Sequence, residues 1–247
     1  MFKYKLKAFG LHFSISLLIA LMSMVIVFFV WYPAPLYQAA GVTKIFLIML
    51  GIDIVLGPLL TFIVAKPHKK SLKFDLAVIV LIQLAAFAYG FYHVYDGRPA
   101  WIAYSVDRFD LVKNNEIDTR KLTEALPPYQ KVSQSGARYV AAMIPTDNSE
   151  IRNEILFDEV GYGIAPSQRP ELYQPLSAVD EVMLTRTKAI DELYDYNDKA
   201  DVDKVLLAYP EADGYLPLKA DAVDMTVLIN KKNKEKVVKI VDLRPWE

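Results

Sequence analysis

Lys44–Ala65 reads KIFLIMLGIDIVLGPLLTFIVA. After its opening lysine the stretch is an apolar run long enough to cross a bilayer, which takes about 20 helical residues. Asp53 stands at its centre, with Gly57 and Pro58 one turn later. A carboxylate at that depth costs about 2.5–3.5 kcal/mol on insertion scales. A helix that carries this cost is expected to turn Asp53 towards protein and away from lipid.

Two further apolar runs flank it. Leu11–Tyr32 holds 22 residues without a charged side chain and closes in FFVWYPAP. The apolar part of a cleavable signal is about 7–15 residues and ends in small residues, so this run reads as a retained membrane helix. Downstream, Leu76–Tyr92 makes a third run, whose end carries an aromatic belt of Tyr89, Phe91, Tyr92 and, just beyond, Tyr95. The expected spans are about 11–32, 44–65 and 74–95. Lysines precede the first span (MFKYKLK) and crowd the link at 66–73, whereas the link at 33–42 has no charge. The positive-inside rule then puts the N-terminus and the 66–73 loop in the cytoplasm, and the C-terminal half in the periplasm of a bacterium.

Residues 1–95 hold two acids, Asp53 and Asp75, against eight lysines, while residues 96–247 hold 27 acids against 20 Lys and Arg, a net of −7. This break marks a membrane domain, 1–95, followed by a periplasmic domain, 96–247. An acidic domain without a basic patch gives no case for nucleic acid. Cysteine is absent, which excludes disulfides and Cys–metal frameworks.

Within the membrane part, helical depth at 1.5 Å per residue brings Gln83 and Ser23 to the level of Asp53. Hydrogen bonds from both to the carboxylate would hold the three helices together. The sharper alternatives are a docking point for a polar group on a partner helix, or a proton site. Pro58 cannot donate to the carbonyl of Ile54 and lets the chain bend there. Asp53, Gly57, Pro58 and Gln83 are therefore the candidate partner-binding residues in the membrane.

The C-terminal half reads as α+β with a small antiparallel sheet. Ala100–Val112 alternates as a strand. Glu116–Ala125 has helical spacing, and Ala137–Ile144 is a short strand. A helix starting at Asn148 or Ser149 runs through Asp158, and another covers Ser177–Tyr194 behind a start that resembles a capping box. A shorter helix covers Asp201–Leu207. Met225–Ile229 and Val237–Leu243 flank KKNKE as a hairpin. The stretch 161–175 reads as a loop, either a plain connector, the blander and favoured reading, or an exposed interaction loop with Tyr162, Arg169 and Tyr173 as candidate partner-binding residues.

No catalytic constellation emerges. The three histidines are His12, His68 and His93, so the C-terminal half has no Ser-His-Asp set and few routes to zinc. Adjacent acids such as Asp180-Glu181 do not face each other on a helix and read as solvated surface. Counted from Asp195, a calcium loop needs glycine at position six and glutamate at position twelve; Ala200 and Leu206 stand there. Gly161-Tyr162-Gly163 lacks the strand, helix and third glycine of a nucleotide loop. Neither a cofactor nor a metal is expected.

Several motifs together carry a family likeness: WYPAPLYQAAG (31–41), GIDIVLGPLLTFIVAKP (51–67), DLAVIVLIQLAAFAYGFYHVYDGRPAWIAYSVDRFDLV (75–112), DGYLPLKA (213–220) and DLRPWE (242–247). In them the chain resembles the TfpX/TfpZ-type accessory proteins of bacterial type IV pilins. That resemblance implies an inner-membrane protein that assists a major pilin and affects its assembly or the dynamics of the pilus. It implies no enzyme activity and transfers no site residue. The expected function is thus a pilin accessory that binds or stabilises the major pilin. The rival readings are a membrane-anchored periplasmic sensor acting through a partner, and a membrane enzyme acting on pilin or a lipid-linked substrate.

Overall fold

The computed structural model describes residues 1–246. In chain order its helices are α1 (Phe2–Val25), continued by a π-helical turn at Ile26–Trp31, the one-turn α2 (Leu36–Ala39), α3 (Val42–Val64), α4 (Leu72–Asp96), α5 (Ser149–Tyr162), α6 (Asp180–Arg186) and α7 (Lys199–Ala208). The strands are β1 (Pro99–Ser105), β2 (Arg108–Lys113), β3 (Arg138–Ala142), β4 (Tyr173–Gln174), β5 (Gly214–Lys219), β6 (Met225–Ile229) and β7 (Val237–Val241). The chain divides into two compact units. One is Met1–Ala34 with Gly41–Gly97; the other is Pro35–Ala40 with the chain from Arg98 onward.

The first unit is three helices, α1 with its π turn, α3 and α4, each long and apolar enough to cross a membrane. Both α1 and α4 pack on α3. Their outward side chains, among them Leu18, Phe29, Ile48, Leu81 and Ile82, are exposed, as suits a surface whose solvent is hydrocarbon. Two glycines let α4 approach α3. A Cβ on Gly57 would lie 1.8 Å from Gln83 Oε1, and one on Gly90 would lie 2.4 Å from Met49 Sδ. At one end Trp31 packs against Phe91 and Tyr95, with ring centroids 4.9 and 5.0 Å away, and the buried Tyr32 hydroxyl donates to the Val94 carbonyl at 2.7 Å.

The second unit is the expected α+β class, but its sheet is neither small nor antiparallel throughout. Seven strands run in the order β4-β3-β1-β2-β5-β6-β7. The β1–β3 and β2–β5 pairings are parallel, and the others are antiparallel. The expected strand over Ala100–Val112 is a hairpin: the chain reverses at Val106 and Asp107, with Val106 at φ 62°. β1 is buried at all seven positions, because the sheet is covered on both faces, as parallel pairing usually requires. Ile102, Tyr104, Phe109, Leu216, Val227 and Met183 form one core. Trp101, Ala103, Val140 and Tyr173 pack on the opposite face of β1 and β3. Tyr215, Leu228, Leu193 and Val202 form a third cluster.

Two helix expectations fail. Glu116–Ala125 holds only single 3-10 turns, at Asn114–Glu116 and Leu122–Glu124. Ser177–Tyr194 breaks into a 3-10 turn, α6 and a second 3-10 stretch, Ile190–Asp195. The break has a tertiary cause. Lys188 exchanges both backbone hydrogen bonds with Tyr215, at 2.9 and 3.1 Å, and so is drawn out as a bridge to β5. Gly214 leaves room for it; a Cβ there would meet Thr187 Cγ2 at 2.4 Å.

Sequence reading takes residues 33–42 for a plain link, yet Pro35–Ala40 is part of the second unit. Leu36 and Ala39 are buried in its core beside Met183 and Leu216. The Ala39 carbonyl accepts from the backbone N–H of Ala222 at 3.0 Å and of Val223 at 3.4 Å.

Candidate functional site

Polar side chains meet inside the three-helix unit. On α1, His12 and Ser16 lie four residues apart and share one helix face. Thr61 lies one turn beyond Gly57 on α3, and Gln83 projects from α4 over Gly57. His12 Nε2 is 3.0 Å from Gln83 Oε1, and His12 Nδ1 is 2.6 Å from Thr61 Oγ1. The Gln83 amide nitrogen donates to the Asp53 backbone carbonyl at 2.7 Å and to Ser16 Oγ at 3.3 Å. One proton arrangement accounts for all four bonds. With the Gln83 oxygen as acceptor, His12 donates through Nε2–H, and the Thr61 hydroxyl donates to Nδ1.

The expected set is therefore met in part and by different atoms. Gln83 reaches α3 through Gly57, as close packing at that glycine demands, but it bonds the Asp53 carbonyl, not the carboxylate. This falls in the turn that Pro58 disturbs. Pro58 gives no hydrogen bond to Ile54 and crowds that carbonyl, and the neighbouring carbonyl is met from α4. Ser23 is elsewhere, bonded at 2.7 Å to the Ile19 carbonyl of its own helix; Ser16 takes its place. The Asp53 carboxylate has no hydrogen-bond partner among the described residues. It lines a groove of about 310 Å³ between α1 and α4, walled by Leu11, Ile15, Val80 and Leu84 and floored by His12, Ser16, Thr61 and Gln83. His12, Ser16 and Thr61 were missed from sequence. The available hint was their spacing, i and i+4 on α1 for the first two, and Gly57 to Thr61 on α3.

The second candidate region is a correction. Arg169 and Tyr173 are not on an exposed loop: Arg169 is 2% exposed and Tyr173 is fully buried, while Tyr162 is 67% exposed. Arg169 is a hub. Its Nε donates to Glu171 at 2.8 Å, its Nη1 to Asp158 at 3.1 Å and its Nη2 to Glu154 at 3.2 Å. Arg120 joins Asp158 to Asp118, both at 2.7 Å. Burial opposes the Arg169 charge, but bonds to Glu171 and Glu154 and the nearby Asp158 hold its pKa above the ordinary value. Hydrogen bonds from Arg120 outweigh burial and hold the Asp118 carboxyl below the usual range. Tyr173 packs edge-on against Trp101, with centroids 5.4 Å apart, and its hydroxyl donates to the Ser167 carbonyl. Arg169 fixes the loop to α5, and Tyr173 anchors it to β1 through Trp101. Among its exposed side chains α5 carries four large apolar or aromatic ones, Leu156, Phe157, Val160 and Tyr162. No group of His, Asp or Glu suited to a metal occurs among the described residues.

The chain is similar to the fimbrial assembly protein of Dichelobacter nodosus serogroup I, with 33% identity over 195 residues that cover 78% of this chain and 75% of the relative. It belongs to the fimbrial assembly protein family. The serogroup E1 protein of the same organism matches at the same identity and coverage. That of serogroups C1 and C2 is 38% identical over 126 residues, half of this chain and 96% of the relative. The model of the FimB fimbrial assembly family matches residues 1–41, so within this chain it spans α1 and the segment folded into the second unit. No solved structure matches the chain.

Proposed function

We propose that this protein is an inner-membrane accessory of type IV pilus assembly that binds the major pilin and does so without catalysis. The observation that carries the reading is the likeness to fimbrial assembly proteins over about three quarters of both chains. The three apolar helices support embedding in the membrane. The lysines at 3, 5, 7, 66, 69, 70 and 73 support a cytoplasmic N-terminus. The folding of Pro35–Ala40 into the second unit supports a three-span topology, because two crossings return the chain to the side of that segment before Arg98. On this reading the C-terminal domain is periplasmic.

A pilin waiting in the bilayer presents an apolar helix and a globular head. A membrane bundle and a periplasmic domain on one chain can hold both at once, and the two weak contacts combine through effective concentration. Each contact can then be weak enough to release the pilin to the filament. Affinity purification of the full chain from detergent-solubilised membranes is expected to recover the major pilin, and deletion of the gene is expected to reduce surface pili. Normal piliation in the deletion strain, with no pilin recovered, refutes the proposal.

A further inference from the structure

We infer that the groove between α1 and α4 receives one apolar membrane helix of a partner, and that this helix offers a cation or hydrogen-bond donor to Asp53. The inference rests on the pilin-accessory reading for the partner's identity, the membrane segment of the major pilin, but its chemistry comes from the groove.

Asp53 stands at the middle of α3 (Val42–Val64). Its backbone carbonyl is engaged by Gln83, yet its carboxylate lines the groove with no donor among the described residues. Three donors of the groove floor are spent: His12, Thr61 and Gln83 bond one another, the α3 backbone and Ser16 Oγ, which accepts from Gln83. An acyl chain fits the apolar walls, Leu11, Ile15, Ile19, Val80 and Leu84, but leaves the carboxylate unpaired at the depth where that is most costly. A second copy brings its own imidazole and amide already engaged. An entering helix with a lysine, an amine, an amide or a hydroxyl at this level removes the cost and keeps the walls dry. The polar floor is rigid for this purpose, since Gln83 is held from three sides and Gly57 fixes its approach. Charge complementarity thus selects a donor-bearing helix over a plain apolar one.

The test uses the full-length protein in vesicles with two labelled transmembrane peptides of leucine and alanine, one with a central lysine and one with leucine there. Energy transfer should report about three- to tenfold tighter association of the lysine peptide, the span expected of one intramembrane polar contact. Asp53→Leu should remove the preference, with an unchanged melting curve showing that the bundle is intact. Equal association of both peptides, or a preference that survives Asp53→Leu, overturns the inference. In native membranes a photo-crosslinker at Ile15 or Leu84, on the groove lips, should capture the pilin's membrane helix, and one at Ile82, outside the groove, should not. Capture of lipid alone or of a second copy refutes the groove. Pilin captured only through the C-terminal domain also refutes it, while the accessory reading stands. Asp53-dependent capture of the membrane helix of another single-span protein supports the groove and refutes the pilin as its occupant.

Discussion

At the residue scale, the position most sharply constrained is Gly57. Gln83 occupies the space in which a β-carbon would sit, 1.8 Å from its oxygen. Gly57→Ala is expected to destabilise the bundle by about 1–3 kcal/mol, as overpacking does. Gly57→Ala combined with Gln83→Ala should recover part of that loss, measured by thermal unfolding in detergent; strictly additive losses would show that the two do not share the site. Sequence reading found Gln83 from depth alone, but assigned it the carboxylate of Asp53. A depth count cannot tell a side-chain oxygen from a backbone one, and it is the backbone oxygen that Gln83 bonds. Arg169 shows the opposite failure. A charged residue among prolines and glycines reads as surface, and the acids that bury it come from α5 and from Glu171. Asp118 gives this network a pH dependence. Its carboxyl is held below the ordinary range by Arg120, so its contribution is present above the unfolded pKa of about 3.9 and is lost as pH falls through the lower folded value. Asp118→Asn should lower the melting temperature at pH 7, and the gap from the parent should close as the pH drops below about 4.

At the scale of elements, the long spans were legible because apolar length needs no partner to be recognised: α3 and α4 lie within a few residues of their expected bounds. The helices of the C-terminal half were legible only where nothing overrode them. α5 starts at its expected Asn148 cap, and α7, Lys199–Ala208, covers the expected Asp201–Leu207. The stretch 177–194 has helical spacing throughout, but pairing of Lys188 with Tyr215 gains two backbone hydrogen bonds and interrupts it. β5 was not read as a strand; it carries Pro217 inside it, a residue that weakens the strand signal of such a run. Gly214 ties the two elements together. Gly214→Val would press a β-carbon to 2.8 Å from the Lys188 carbonyl as well as against Thr187. The variant should lose about 1–3 kcal/mol and expose the amides of Thr187–Ala189 to hydrogen exchange, while a Leu207→Ser control on the exposed face of α7 should leave that exchange unchanged.

At the scale of the whole molecule, the break in charge at about residue 95 was visible, but the contribution of Pro35–Ala40 to the second unit was not. Its uncharged, proline-containing sequence fits a link between spans as well as it fits a buried plug. Only long-range packing separates the two readings. Ala39 has no exposed surface, so Ala39→Arg should unfold the C-terminal unit although the substitution lies between two membrane helices. Limited proteolysis of the full-length variant should cut within residues 98–246, with α3 and α4 still inserted. A protease-resistant C-terminal unit in Ala39→Arg would show that the plug is dispensable.

That plug also sets a clock. The carbonyl of Ala39 waits for amides at Ala222 and Val223, about 180 residues later in the chain. At ribosomal rates of about 5–20 residues per second, the first two helices are made roughly ten to forty seconds before the groups that complete the core beside Leu36. During that interval Leu36 and Ala39 lack the partners that bury them, and the C-terminal unit can close only after α3 and α4 have been synthesised. Closure of that unit therefore follows synthesis of both long helices that lie between its two parts in the sequence.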